Sequence, residues 1–177
     1  MSAVAPDAGA GAGAVADDHS IRIEPFQPEW TEAFRRLNLQ WLERHFSVEP
    51  ADLLVLSDPK SHVIDAGGEI LFALDATGAV VGTCALLAGP DGTFELAKMS
   101  VEEARHGQGI GTRLIEAAIA AFHRRGGRRL FLESSSRLAP ALHLYRRNGF
   151  VQQTPPHESH YRRADVYMVW RPAEAER

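Results

Sequence analysis

Three glycines stand at alternate positions in the stretch RHGQGIGTRLIEAA, residues 105–118, where a predicted strand gives way to an apolar helix. Gly107, Gly109 and Gly111 each cost conformational entropy when fixed, so their spacing asks for a reason. A helix start carries unpaired N–H groups and the positive end of the helix dipole. Glycine lets those groups close on an anion with no Cβ in between, so the chemistry that suits this spacing is the grip of a phosphate or pyrophosphate. It is not the P-loop, G-x-x-x-x-G-K-[ST], because Thr112 stands where the lysine belongs. A dinucleotide fingerprint starting at Gly107 fails as well. It needs glycine at 112, and residues 102–106 separate the strand from the first glycine by too much chain for a tight turn. A chain that only turns into a helix needs one or two glycines, and that plainer reading stays open.

The elements that must position this loop can be read from periodicity. SIRIEPF alternates as a first strand, and PEWTEAFRRLNLQWLERHF carries Trp30, Phe34, Leu37, Trp41 and His45 at helical spacing. A short helix is expected at ADLLVL. EILFALD and AVVGTCALLAG form a hairpin around DATGA, and the meander continues through GPDG into TFELAKMSV. After the glycine loop, Ile110, Leu114, Ile115, Ala118, Ile119 and Phe122 make one apolar stripe, which Gly126 and Gly127 end as a left-handed cap. RRLFLES is a strand. RLAPALHLYRRNGF is a helix with Ser136 as its expected N-cap and Pro140 in its first turn. ADVYMVW is the last strand. The order β-α-(α)-β-β-β-α-β-α-β-β specifies an α/β domain with a mixed central sheet of about six to seven strands flanked by helices.

Composition narrows the function classes. The chain has 177 residues, 45% hydrophobic and 24% charged, and a formal net charge of −4, which suits one globular domain and argues against a nucleic-acid partner. Cys84 is the one cysteine, so no disulfide framework or cysteine metal cluster is available, as expected of a cytoplasmic protein. Residues 1–19 are Ala/Gly-rich and lack the basic front and long apolar run of a signal peptide, so a disordered tail is expected there. The folded domain is expected over 20–171, followed by a polar tail, 172–177. No stretch is long and apolar enough to span a bilayer, and no membrane partner is expected.

MSVEEARHGQGIGTRLIEAA resembles the acyl-CoA pyrophosphate loop, [Q/R]-x-x-G-x-[G/A], of the GNAT superfamily of N-acetyltransferases. LHLYRRNGF, residues 142–150, resembles that family's Tyr-x-x-x-Gly-Phe segment, and the elements between the two motifs also fit. The subgroup it looks like consists of small single-domain acetyltransferases with mostly unassigned substrates. The resemblance implies the GNAT (acyl-CoA N-acyltransferase) fold, acetyl-CoA as cosubstrate and an amine acceptor. It implies that backbone groups of Met99 and Val101 hold the pantetheine arm where strands four and five splay at a bulge. The N–H groups of His106, Gly107, Gly109, Gly111 and Thr112 would take the pyrophosphate, and Tyr145 would be the general acid for the CoA thiolate. The first motif position, usually Arg or Gln, is His106, with Arg105 beside it to add charge. Leu138 stands where many relatives place an Asn.

Acetyl transfer also needs a base, and Glu95 is the candidate. Period-two alternation would set Glu95, Ala97, Met99 and Val101 on one face, with Glu95 ~13 Å along the strand from Met99, so that a water relay is required. A charge at the end of a strand reaching solvent is the competing reading. Glu133, in FLESSS, is the second candidate. In HESHYRR, Arg162 and Arg163 could grip an acceptor carboxylate or form a solvated basic turn. His157 and His160 read as solvated, and no metal is expected. Cys84 reads as a buried strand residue. The leading expectation is an N-acetyltransferase moving the acetyl group of acetyl-CoA directly to a primary amine of a small molecule. The alternatives are a protein or peptide acceptor, or a silent CoA-binding sensor. Analogy with the family allows a homodimer.

Overall fold

The computed structural model describes residues 21–172. The expected N-terminal tail, and all of the expected C-terminal tail except Pro172, lie outside the described residues. Strands β1 (Arg22–Pro25), β2 (Glu69–Leu74), β3 (Val80–Ala88), β4 (Thr93–Val101), β5 (Arg129–Ser134), β6 (Phe150–Gln153) and β7 (Val166–Trp170) form one mixed sheet in the order β1-β2-β3-β4-β5-β7-β6. The β4–β5 pairing is parallel and every other pairing is antiparallel. Helices α1 (Thr31–His45) and α2 (Pro50–Ser57) lead into a π-helical turn at Lys60–Ile64. Helices α3 (Ile110–Arg124) and α4 (Ala139–Arg147) flank β5 in sequence. The expected element order holds, with the π turn as an addition.

The strands are apolar on both sides because helices cover both faces. In β2, Ile70, Phe72 and Leu74 pack with Phe34, Leu37 and Leu42 of α1 and Leu56 of α2. Leu71 and Ala73 belong to the opposite layer, with Ile110, Leu114, Ile115, Ala118 and Phe122 of α3. The period-two alternation of β2 thus meets helical stripes above and below. Cys84 lies in the α3 layer as expected, and burial pushes its thiol up to about 12, far from reactive thiolate. The end of α3 is a Schellman cap, with Gly126 N–H bonded to His123 O (3.0 Å) and Gly127 N–H to Phe122 O (3.0 Å).

Two local expectations change. Ser136 does not cap α4, whose N-cap is Leu138. Its N–H and hydroxyl instead go to Asp165 at 2.7 and 2.5 Å, tying the β5–α4 connection to the segment before β7. The alternation of β4 also breaks. Ala97 pairs with Ala85 and Ser100 with Thr83, so two residues, Lys98 and Met99, oppose the single Cys84. That is a β-bulge, and Lys98 takes it with a left-handed φ of 52°.

Candidate active site

The bulge moves the odd-numbered residues of β4 from one face of the sheet to the other. Upstream, Glu95 and Ala97 pair with Leu87 and Ala85, which pack in the α1/α2 layer. Downstream, Met99 and Val101 pack against the α3 layer. Glu95 and Met99 therefore do not share a face, because the extra residue shifts the parity of every side chain beyond it. Beside the bulge the sheet opens. β4 and β5 pair only through Thr93–Glu95 and Arg129–Phe131, and then run on unpaired with each other to Val101 and Ser134. A strand edge without a neighbour presents N–H and C=O groups ready to pair with another extended chain.

A groove of about 690 Å³ lies on the α3/α4 side of this opening. Met99 and Val101 line it from β4, together with His106, Gly107, Gly109, Gly111 and Thr112 from the loop and helix start. All the residues expected to meet a cofactor are thus brought to one surface. His106 N–H bonds Glu103 O and Arg113 N–H bonds Gly109 O, both at 3.1 Å, but no backbone N–H of residues 107–112 donates to a backbone carbonyl among the described residues. Gly107 and Gly109 hold φ of 79° and 76°, and a Cβ on either would meet nothing within 4 Å. They are needed for the left-handed turn that bares those N–H groups. Gly111 has a different reason, since a Cβ there would sit 2.9 Å from Leu144 and 3.2 Å from Met99. This chemistry fits a diphosphate. Arg105 lines the groove as well, with one guanidinium nitrogen paired to Asp75 at 2.8 Å. His106 Nε2 lies 3.0 Å from Val101 O. Arg137 and Arg147, which the motif did not indicate, line the same groove.

On the α1/α2 side a smaller cavity of about 90 Å³ is lined by Glu95, Glu133, Trp41, Phe46, Lys98 and Tyr161 among others. Trp41, Met99, Leu138 and Tyr145 line both spaces. The Tyr145 ring stands edge-on to Phe150 at 6.1 Å, and its hydroxyl makes no hydrogen bond among the described residues. Burial pushes the phenol up to about 12, so it stays protonated across the physiological range. Glu95 has no hydrogen bond or ion pair among the described residues. Burial, reinforced by the charge of Glu133, pushes its carboxyl up to about 7, while Lys98 and His157 pull the other way. Glu133 accepts a hydrogen bond from Ser159 Oγ at 2.5 Å.

The floor of this cavity is an ionic cluster that local sequence patterns did not reveal. Asp52, at the third position of α2, closes a capping box with Glu49 (Glu49 N–H to Asp52 Oδ2, 3.0 Å). The same carboxylate takes Lys98 Nζ at 2.7 Å and both arms of Arg163 at 2.8 and 2.7 Å. Burial opposes its ionisation, but the bonds from Arg163 and Lys98 prevail and hold the carboxyl below the usual range. Arg163 also reaches Glu49 at 2.8 Å, and Lys98 donates to Tyr161 OH at 3.0 Å. Arg163 is therefore engaged within the protein rather than presented to an acceptor carboxylate. His157 and His160 gather no further donors: among the described residues, no group of three or more His, Cys, Asp or Glu could hold a metal ion. No helix of the described residues is long and apolar enough to cross a membrane.

Comparison with known proteins agrees with this architecture. The acetyltransferase (GNAT) family model matches residues 19–150. No curated protein matches the sequence. Among solved structures, an acetyltransferase of the GNAT family from Staphylococcus aureus Mu50 has a TM-score of 0.77 at 18% identity, over 85% of this chain and 98% of its own. An acetyltransferase from Streptococcus agalactiae 2603 has a TM-score of 0.72 at 20% identity, over 85% and 98%. A Salmonella typhimurium protein solved with its cofactor acetyl-CoA has a TM-score of 0.66 at 19% identity, over 88% and 96%. At these identities the likeness shows the fold.

Proposed function

This chain belongs to the acetyltransferase (GNAT) family, and from that premise we propose that it is an acetyl-CoA-dependent N-acetyltransferase whose acceptor is the primary amine of a small molecule. One observation carries the reading. A groove with bare N–H groups at one end meets, at Tyr145, a small cavity holding an unpartnered carboxylate. The cavity's size favours a small amine over a peptide.

Acetyl-CoA brings the activated acyl group as a thioester. The N–H groups of residues 107–112 bind its diphosphate, and the open edge of β4 at Met99 and Val101 orients the pantetheine arm as an added strand. Trp41 and Leu138 shield the junction from water. Glu95 takes the amine proton through water, which frees the nitrogen to attack. A C–N bond forms, the C–S bond breaks with its electron pair staying on sulfur, and the proton left over on nitrogen passes to the thiolate, so that an amide and a free thiol result. Tyr145 donates a hydrogen bond to that sulfur. A phenol held near 12 lies well above a thiol's usual value of about 8.5, so Tyr145 steadies the leaving thiolate more than it protonates it. A hydrogen bond to a charged partner is worth about 1.5–3 kcal/mol. Tyr145→Phe is therefore expected to lower kcat about 10- to 100-fold while leaving acetyl-CoA binding in place. Unchanged turnover would remove Tyr145 from the reaction.

Thermal unfolding with acetyl-CoA, using ATP and NAD as controls, tests the cofactor. At ~100 times Kd the ligand adds about 2.7 kcal/mol. For a chain of this length that is a rise of about 5–10 °C in Tm. A rise specific to acetyl-CoA supports the reading; equal effects of all three nucleotides, or none, would refute it.

A further inference from the structure

The charges around the inner cavity do not balance, and the imbalance says what kind of amine it takes. Lys98 and Arg163 are the cations on its wall, and both are spent. Lys98 is held by Asp52 and the Tyr161 hydroxyl, while Arg163 is held by Asp52 and Glu49. Against them stand Asp52, Glu95 and Glu133, and only the first is neutralised by an ion pair.

Glu95 and Glu133 are brought together by the topology. Parallel pairing sets Glu95 opposite Phe131, and Glu133 lies two residues further along β5, on the same face. Leu130 and Leu132 turn to the α3 layer, so Phe131 and Glu133 turn with Glu95 to the other. The strands part just here, and both carboxylates flank the opening. Their positions differ in one respect. Glu133 also lines a second, more open cavity of about 520 Å³, whose walls include Glu158 and Tyr161. The inner cavity thus has Tyr145 on its boundary with the cofactor groove and Glu133 on its boundary with this second space.

We propose that the acceptor is an elongated diamine lacking a carboxylate, with one amine presented to Glu95 and Tyr145 and the other, as ammonium, held by Glu133 at the mouth of the second cavity. This rests on the acetyltransferase reading above. An acceptor with a single amine leaves Glu133 without a counter-charge once Glu95 has served the reacting nitrogen. An amino acid fares worse, since its carboxylate meets two further carboxylates and no Lys or Arg on the inner cavity's wall outside the Asp52 cluster. The aromatic walls, Trp41, Phe46 and Tyr161, suit a methylene chain between two cationic ends.

The test is steady-state acetylation of three probes of matched length by the full chain: 1,4-diaminobutane, 1-aminobutane, and 2,5-diaminopentanoic acid, the carboxylated diamine. The diamine is expected to exceed both others by at least about tenfold in kcat/KM. In Glu133→Gln the ratio of diamine to monoamine falls toward one, mainly through the KM for the diamine. Equal kcat/KM for diamine and monoamine, or a preference for the carboxylated probe, overturns the inference and leaves the acetyltransferase reading standing, because product still forms. Absence of acetylated product from every amine, with the acetyl-CoA melting shift intact, overturns both. A diamine preference that survives Glu133→Gln undiminished overturns the assignment of the second charge to Glu133.

Discussion

Glu95→Gln is expected to lower kcat by two to three orders of magnitude at pH 8, within the range usual for losing a general base. In the wild type the carboxyl sits near 7 and accepts a proton only when ionised. Turnover should therefore rise with pH through about 7 and level off above it. Glutamine cannot titrate, so the variant should lose that rising limb altogether. The groups facing Glu95 that shape the limb are Glu133 from β5, Lys98 from β4 and His157 from the β6–β7 connection. Stability should move the other way. A carboxyl raised above its unfolded value favours the fold while protonated, and this contribution fades as pH climbs through the raised value. At pH 8 the wild type keeps a charged group in an unfavourable place, and the neutral amide does not. The variant should melt no lower than the wild type there, separating lost chemistry from lost structure. A retained pH limb in Glu95→Gln would dismiss this residue as the base and return attention to Glu133.

The second large effect is on folding. Asp52 is fully buried and Lys98 is 5% exposed, so Asp52→Ala strands Lys98 and deprives Arg163 of its bidentate partner. Removing one side of a buried ionic cluster costs about 3–5 kcal/mol, chiefly because the orphaned charge stays inside. For a chain of this size the melting temperature should fall by about 6–20 °C. Adding Lys98→Met to Asp52→Ala should recover part of that loss by removing the stranded ammonium. A double variant less stable than the single one would show that the cluster does not act through buried charge. The gap between wild type and Asp52→Ala should also depend on acid. A carboxyl held below its usual value contributes stability above the unfolded range, and that contribution is lost as pH falls below about 4. The two proteins should converge there.

Much of the fold was legible because both layers write their periods into the chain. The stripe Ile110, Leu114, Ile115, Ala118, Ile119, Phe122 of α3 and the spacing of Trp30, Phe34, Leu37 and Trp41 at α1 each name a face, and each packs on its own side of the sheet. The glycine loop was legible because Gly107 and Gly109 serve a backbone conformation that few other residues adopt. The bulge left no such mark. Lys98 holds a positive φ with neither Gly nor Asn to announce it, so TFELAKMSV reads as unbroken alternation through to Val101. The cluster around Asp52 was hidden for another reason. Its partners lie 46 and 111 residues away, and ADLLVL alone reads only as a short helix. Arg163 reads as available to an acceptor for the same reason, since a counter-ion distant in sequence leaves no local trace.

The single extra residue in β4 makes one strand into two instruments with separate tuning. Of the odd-numbered residues of β4, Glu95 and Ala97 upstream of Lys98 face the wall toward α1 and α2, and Met99 and Val101 downstream face the wall toward α3. Under the proposed function, drift at Glu95 and Ala97 changes the amine while Met99 and Val101 keep their grip on the same donor. Deleting the extra residue would set Met99 opposite Cys84 in a regular ladder and remove the bend that accompanies the parting of β4 from β5. Inheritance of the bulge, more than of any side chain along the strand, is what would let descendants of this protein diverge in what they modify.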